Sequence, residues 1–179
     1  MFHRTERLML RPVWPEDWET ILWGISDERV VRNLARAPWP YSARDAREFA
    51  ARGQDPRCPN FLLTLPDDKG AQLIGCAGLG ATNTGVELGY WIAPRHWGHG
   101  FATEGGRGVL EVARLLGHRR VEAGHFLDNP ASGRVLGKLG FRPTGSVAPR
   151  KCLARGHDVP CALFELDLDE TLSMPLQAA

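Results

Sequence analysis

Three short groups of residues have types and spacings that could do chemistry. The first is Arg95-His96-Trp97-Gly98-His99-Gly100-Phe101-Ala102, a glycine-bearing turn that runs into a helical pattern. Such a turn collects backbone N–H groups at the positive end of a helix dipole, which suits a phosphate or pyrophosphate. Gly98 and Gly100 would let the backbone approach the anion closely, and Arg95, His96 and His99 could add positive charge at the rim. The second group is Asn129-Pro130-Ala131-Ser132. Asn is a favoured N-cap and Pro a favoured first helical residue, so Ser132 would present a hydroxyl in a first helical turn. The third is Glu87, a carboxylate set against the apolar parity of Val86, Leu88 and Tyr90 and a candidate general base. Each also has a purely structural explanation: a ligand-free connection, a plain helix cap, and a solvated or salt-bridged strand residue.

Several chemistries do not fit. No lysine-serine or lysine-threonine pair follows the glycine turn, so it is not a nucleotide-binding P-loop. The strand before it belongs to an antiparallel meander, which argues against a dinucleotide fold. His118, His125 and His157 lie away from every motif and read as surface or satisfied core histidines; no serine–histidine–acid arrangement is legible. Cys58, Cys76, Cys152 and Cys161 form no CxxC pair, so neither a disulfide framework nor a metal site is expected.

The elements that must position these residues follow from periodicity and breakers. Leu8 and Leu10 alternate with Arg7, Met9 and Arg11 as in a half-buried strand. Glu16–Ile25 has a helical stripe of Trp18, Ile21, Leu22 and Ile25. Ser26 or Asp27 could cap a short second helix, and Ser42, with Asp45 at the third position, caps a third running to about Arg52. Pro38 and Pro40 make 35–41 a loop. Phe61–Leu65, Ala71–Leu79 and Val86–Ile92 are strands joined too tightly for helical crossovers, hence an antiparallel meander. A helix over Ala102–Leu116 stops at Gly117. It carries Gly105, Gly106 and Gly108, each costing about 1 kcal/mol in a helix interior, which predicts close packing there. Arg120–Phe126 is a strand, Pro130–Leu139 a helix, and Phe141–Val147 and Cys161–Leu168 are strands. This order describes a mixed α/β sheet with helices on both faces.

The chain has 179 residues, 43% hydrophobic and 24% charged, which fits one soluble domain. A net charge of +1 argues against a dedicated nucleic-acid binder. Lysine occurs only at Lys69, Lys138 and Lys151. The abundance of arginine is either compositional bias or a set of forks for phosphates and carboxylates. There is no signal-peptide pattern and no apolar run of about 18 residues, so a cytoplasmic protein without membrane association is expected.

Taken together, the motifs resemble the GNAT superfamily of N-acetyltransferases, nearest to its ribosomal-protein alanine N-acetyltransferases. The superfamily's acetyl-CoA signature is Arg or Gln, two residues, Gly, one residue, Gly or Ala, matched here by Arg95, Gly98 and Gly100. The lead-in Glu87–Ile92, the trailing Phe101–Glu104 and the opening Thr5–Arg11 match the subgroup as well. The resemblance implies an N-acetyltransferase domain over 6–168 with a short C-terminal tail over 169–179. It implies a largely antiparallel sheet with a splayed strand pair, and acetyl-CoA as cosubstrate without a metal. Backbone amides from Trp97 through Gly98, His99, Gly100 and Phe101 to Ala102 would hold the pyrophosphate. Trp91 and Ile92 would pair with the pantetheine arm, with Tyr90 or Trp91 donating its N–H to the thioester carbonyl. Asn129 would contact the pantetheine near the thioester, and Ser132 would assist the leaving thiolate. Many relatives place a tyrosine one turn beyond that serine; here the position is Leu136, so Ser132, a water, Tyr41 or Tyr90 must substitute. Glu87 would face the acceptor channel, and Trp23, Trp39 and Tyr41 would line its wall. The acceptor is a primary amine: a protein N-terminal amine, or alternatively a polyamine, amino acid or aminoglycoside. An inactive CoA-binding sensor is the remaining alternative. The assembly is a monomer or homodimer.

Overall fold

The computed structural model describes residues 1–68 and 70–169; the expected tail from 170 onward lies outside the described residues. The strands are β1 (His3–Arg4), β2 (Met9–Pro12), β3 (Asn60–Asp67), β4 (Gly70–Ala81), β5 (Val86–Ile92), β6 (Arg120–Phe126), β7 (Arg142–Cys152) and β8 (His157–Asp167). The helices are α1 (Trp18–Ile25), α2 (Glu28–Val31), α3 (Ala43–Ala50), α4 (Phe101–Leu115) and α5 (Pro130–Lys138), with 3₁₀ turns at Pro15–Asp17 and Pro94–His96. One sheet holds all the strands in the order β1-β2-β3-β4-β5-β6-β8-β7. Every pairing is antiparallel except β5 with β6.

Local sequence explains most boundaries. Asp27 caps α2 by accepting the Arg29 N–H at 2.8 Å. Ser42 and Asp45 form a reciprocal capping box at α3. Gly117, at φ +79°, ends the chain segment leaving α4 in the left-handed region that glycine favours. The last hairpin is longer than expected. β7 continues past Val147 to Cys152, and β8 begins at His157 rather than Cys161. Pro149 and Pro160 face each other across this hairpin. β7 is an edge strand, where a missing N–H is tolerated.

Apolar residues collect on both sheet faces. Leu10, Leu63, Leu88, Val109, Leu136 and Phe141 belong to the core beneath α4 and α5. Ile21, Val31, Leu62, Cys76 and Trp91 belong to the core beneath α1–α3. The glycines of α4 allow the helix to lie close to its neighbours. A Cβ on Gly105 would come within 2.7 Å of Leu63 Cδ1, and one on Gly106 within 2.7 Å of Leu139 Cδ1.

The first turn of α4 is tied to the N-terminal segment through Glu104. Its carboxylate accepts from the Thr5 hydroxyl (2.7 Å), the Arg7 amide (2.6 Å), Arg7 Nε (2.7 Å) and the Leu8 amide (3.2 Å). Burial works against this charge, but the Thr5 hydroxyl and the Arg7 amide and guanidinium outweigh it and hold the carboxyl below the usual glutamate range. A depressed carboxyl stabilises the fold above its unfolded pKa and loses that effect as pH falls through its folded one. Glu104→Gln is therefore expected to cost about 1.5–3 kcal/mol at neutral pH. In urea melts, the gap between parent and variant should narrow below about pH 4. A gap that stays constant down to acid would show that the charge on Glu104 contributes nothing.

Candidate active site

The site is built where the sheet opens. β5 and β6 share one paired position, Glu87 with Glu122, and no further pairing toward Ile92. Side chains alternate along β5, so this opening has two chemically different faces. Leu88 and Tyr90 turn toward α4 and α5, whereas Trp91 packs under α1–α3, and Glu87 shares the parity of Trp91. A cavity of about 1160 Å³ runs through the opening. Its lining extends from Gly98, Gly100 and Phe101 to Tyr41 and Arg52.

At one end of the cavity lies the glycine turn. Gly98 and Gly100 both have φ of +80°, which L side chains rarely adopt. Gly100 is the N-cap of α4 and, lacking a side chain, offers no capping oxygen. The amides of Phe101, Ala102 and Thr103 therefore open the helix without an intrahelical acceptor, and they find none among the described residues. Arg7 braces the turn from outside: it donates to the His99 carbonyl at 3.1 Å and lies 4.5 Å over the Phe101 ring. His99 Nδ1–H donates to the Trp97 carbonyl (2.8 Å), and the ring stacks on Phe101. The Trp97 indole N–H donates to the Ile92 carbonyl at 2.7 Å, so the end of β5 and the turn are fastened together.

On the α5 face, Asn129 caps the helix and accepts from the Ser132 amide at 3.4 Å. The Ser132 hydroxyl lies 2.8 Å from the Tyr90 hydroxyl, and the phenol can also donate to the Ser132 carbonyl at 3.3 Å. Burial pushes the Tyr90 phenol up to about 12, against the opposing effect of Ser132. Leu136, one turn beyond Ser132, is 1% exposed in the core. A phenol from β5 thus reaches the start of α5 that α5 itself does not supply. On the opposite face, Glu87 is ion-paired with Arg150 of β7.

The structure brings Tyr90, Trp91, Ile92, Trp97, Gly98, Gly100, Phe101, Ala102, Asn129, Ser132 and Glu87 onto one cavity. Arg95 and His99 are outside its lining. The Arg95 guanidinium lies 3.2 Å over the Trp23 ring and donates to His96 Nε2 at 2.8 Å. Trp23 is 62% exposed and belongs with Arg95 to a separate depression of about 480 Å³. Of the three expected wall aromatics, only Tyr41 lines the main cavity. Sequence reasoning missed Arg7, Arg150 and His125. His125 lines the cavity and touches α5 where Gly133 has no side chain to block it. Its alternation with Ala123 and Val121 on β6 would have placed it on the α5 face. Among the described residues no group of three or more His, Cys, Asp or Glu is placed to hold a metal, and no helix is long and apolar enough to cross a membrane.

An acetyltransferase (GNAT) domain matches residues 7–142. The chain is 35% identical over 150 residues to the N-acetyltransferase YoaA of Bacillus subtilis, covering 79% of this chain and 82% of that protein. Among solved structures, a GNAT-family acetyltransferase from Bacillus anthracis superposes with a TM-score of 0.79 at 22% identity, covering 94% of this chain and 99% of that one. A spermidine N-acetyltransferase from Vibrio cholerae, solved with CoA and spermine, superposes with a TM-score of 0.76 at 20% identity, covering 93% and 99%.

The two tyrosines of the chain report on the cavity. Burial, followed by the charge of Asp45, also pushes Tyr41 up to about 12. Each phenol therefore favours the fold fully below its unfolded pKa, and that contribution is lost as pH rises through about 12. Near-ultraviolet titration of the folded protein should show no tyrosinate step near pH ~10, where the unfolded chain titrates. A step of half the total amplitude there would place one phenol in water.

Proposed function

The chain belongs to the acetyltransferase (GNAT) family, and from that premise we propose that it moves an acetyl group from acetyl-CoA to a primary amine through the opening between β5 and β6. The observation that carries this reading is the coincidence, in one cavity, of an uncapped helix N-terminus, a strand edge without a partner and polar groups on the two faces of the gap. The free amides at Phe101–Thr103, with the turn at Gly98–Gly100, suit the pyrophosphate; the Trp97 amide already donates to the Pro94 carbonyl at 3.1 Å. The edge of β5 at Tyr90–Ile92 suits the amides of the pantetheine arm, as an added strand would. That the Ile92 carbonyl already accepts from Trp97 favours its neighbours for these contacts. A backbone N–H of Tyr90 or Trp91 serves the thioester carbonyl. Arg95, turned onto Trp23, contributes by holding the turn rather than by meeting phosphate.

Chemistry then divides between the faces. The amine nitrogen bonds to the acetyl carbonyl carbon, the C–S bond breaks, and the surplus amine proton passes to Glu87 directly or through water. The departing sulfur is met on the other face by the Tyr90–Ser132 hydroxyl pair near the start of α5. A free thiol has a pKa of about 8.5, so a hydrogen bond to the developing thiolate is sufficient. With Leu136 apolar, Tyr90 acting through Ser132 supplies the hydroxyl. A protein N-terminal amine and a small amine are both compatible with this chemistry. The cavity lining carries Arg29, Arg32, Arg36 and Arg52 together with Asp45, Glu48, Glu87 and Asp128, a mixed set of charges rather than the strongly acidic channel that would favour a polyamine.

Calorimetric titration with acetyl-CoA tests the donor. Binding is expected, and Gly100→Asp should abolish it by adding a side chain and a negative charge at the turn. No detectable heat at about 1 mM ligand, a limit near 4 kcal/mol, would overturn the reading. Ser132→Ala and Tyr90→Phe should each lower kcat about tenfold to a hundredfold, or 1.4–2.7 kcal/mol. If the two hydroxyls act as one unit, the double variant should lose little more than the worse single one. Parental kcat in both single variants would remove them from the mechanism. Glu87→Gln should lower the neutral-pH rate and leave acetyl-CoA affinity unchanged; an identical pH–rate profile would exclude it as base.

A further inference from the structure

The Glu87–Arg150 pair has a geometry that a surface ion pair does not need. Arg150 begins on β7 at the far edge of the sheet, yet its guanidinium reaches Glu87 on β5. It must pass over β8 and β6 to do so. Gly124 of β6 keeps that passage open: a Cβ there would meet Cys161 Sγ at 2.8 Å and Arg150 Nη1 at 3.7 Å. Both members line the cavity and remain partly accessible, with side chains 34% and 23% exposed for Arg150 and Glu87. Glu87 is also the residue at which β5 and β6 last pair. The ion pair therefore lies at the closed end of the opening, on the face opposite Tyr90 and Ser132. Three further arginines on this side are tied elsewhere, whereas Arg36 and Arg52 line the cavity at its other end. Arg29 is held by Asp27, and Arg32 and Arg155 share Asp128.

We propose that this pair reads the acceptor, and that the acceptor is a small primary amine with a carboxylate two or three bonds from its nitrogen, as in a free amino acid. The proposal rests on the acetyl-transfer reading above and specifies its substrate. A fixed negative and positive charge side by side match a zwitterion: the ammonium meets Glu87, and the carboxylate takes the planar fork of Arg150. An amine without an anion would have to pull Glu87 from Arg150 and leave a half-buried cation without its partner, which is costly. A polyamine would add like charge beside it. The exchange also has a catalytic consequence. A carboxylate docked on Arg150 releases the Glu87 oxygen, and that oxygen is the one needed to take the amine proton. The base is thus freed by the acceptor that is to be acetylated, and Arg150 is a specificity-determining residue.

The test compares each acceptor with its own carboxamide. CoA release is followed for a panel of free amino acids, the matching amino-acid amides, a short N-terminal peptide amide and spermidine, using the parent and Arg150→Gln. In the parent, kcat/KM for the best amino acid should exceed that of its amide by about tenfold or more, equivalent to at least 1.4 kcal/mol. In Arg150→Gln the ratio should fall close to one, chiefly through KM, while the Kd for acetyl-CoA stays at the parental value. Arg150→Lys should recover part of the preference. Because the ratio is taken within one protein preparation, a loss of folded fraction cancels. A parent that uses no amino acid better than its amide, or a variant that keeps the parental ratio, overturns the proposal. Acetyl-CoA binding in the parent separates the two failures: without it the acetyl-transfer reading fails, and with it only the acceptor assignment does.

Discussion

A β-strand whose edge is left without a partner has backbone groups that demand hydrogen bonds from something else. In this fold β5 and β6 part beyond Glu87 and Glu122, and the arrangement around them is organised by that parting. It separates the two apolar clusters' polar border into two faces. It also aims the ends of β5 and β6 at the starts of α4 and α5, so two helix N-termini border the same cavity. The parallel direction of this one pair follows from the connection: α4 returns the chain across the sheet before β6, as a parallel neighbour requires.

Holding such an opening requires rigid surroundings, and the structure supplies them by short-range ties. The Trp97 indole fastens the turn to the last residue of β5. Glu104 fastens the first turn of α4 to the segment around Thr5, Arg7 and Leu8. Arg7 continues from there to the His99 carbonyl. The glycine turn is therefore held from both sides, the Trp97 amide donating to the Pro94 carbonyl, while the amides of Phe101, Ala102 and Thr103 stay free. On the other border, the Tyr90 hydroxyl ties β5 to the start of α5 through Ser132. Each of these ties uses a polar group near the gap.

The elements were legible in the sequence where local rules decide them. Ser42 with Asp45, Asn129 with Pro130, and the glycines at 98, 100 and 117 mark their boundaries through capping and φ. The tight turns of the meander and the packing role of Gly105 and Gly106 followed from propensity alone. What escaped were relations set by register across the sheet. The reach of Arg150 to Glu87 depends on a hairpin whose first strand continues five residues past Val147 and whose second begins four residues before Cys161, with Pro149 and Pro160 inside it. Arg95 was expected beside an anion because of its place in the turn. Its guanidinium instead found the Trp23 ring, and Arg7, distant in sequence, took the bracing position. What could stand in for a helical phenol was visible only as a question, posed by Leu136; the sequence could not show that the Tyr90 hydroxyl lies 2.8 Å from that of Ser132.

The central claim is that the opening between β5 and β6 receives acetyl-CoA with its phosphates at the start of α4. Amide hydrogen exchange on the intact protein, with and without saturating acetyl-CoA, addresses both parts at once. The account predicts slowed exchange at residues 101–103 and at 90–92, with little change at the hairpin edge of β7. Bound ligand that leaves both segments exchanging at their free rates, or protects only the depression beside Trp23 and Arg95, would contradict it.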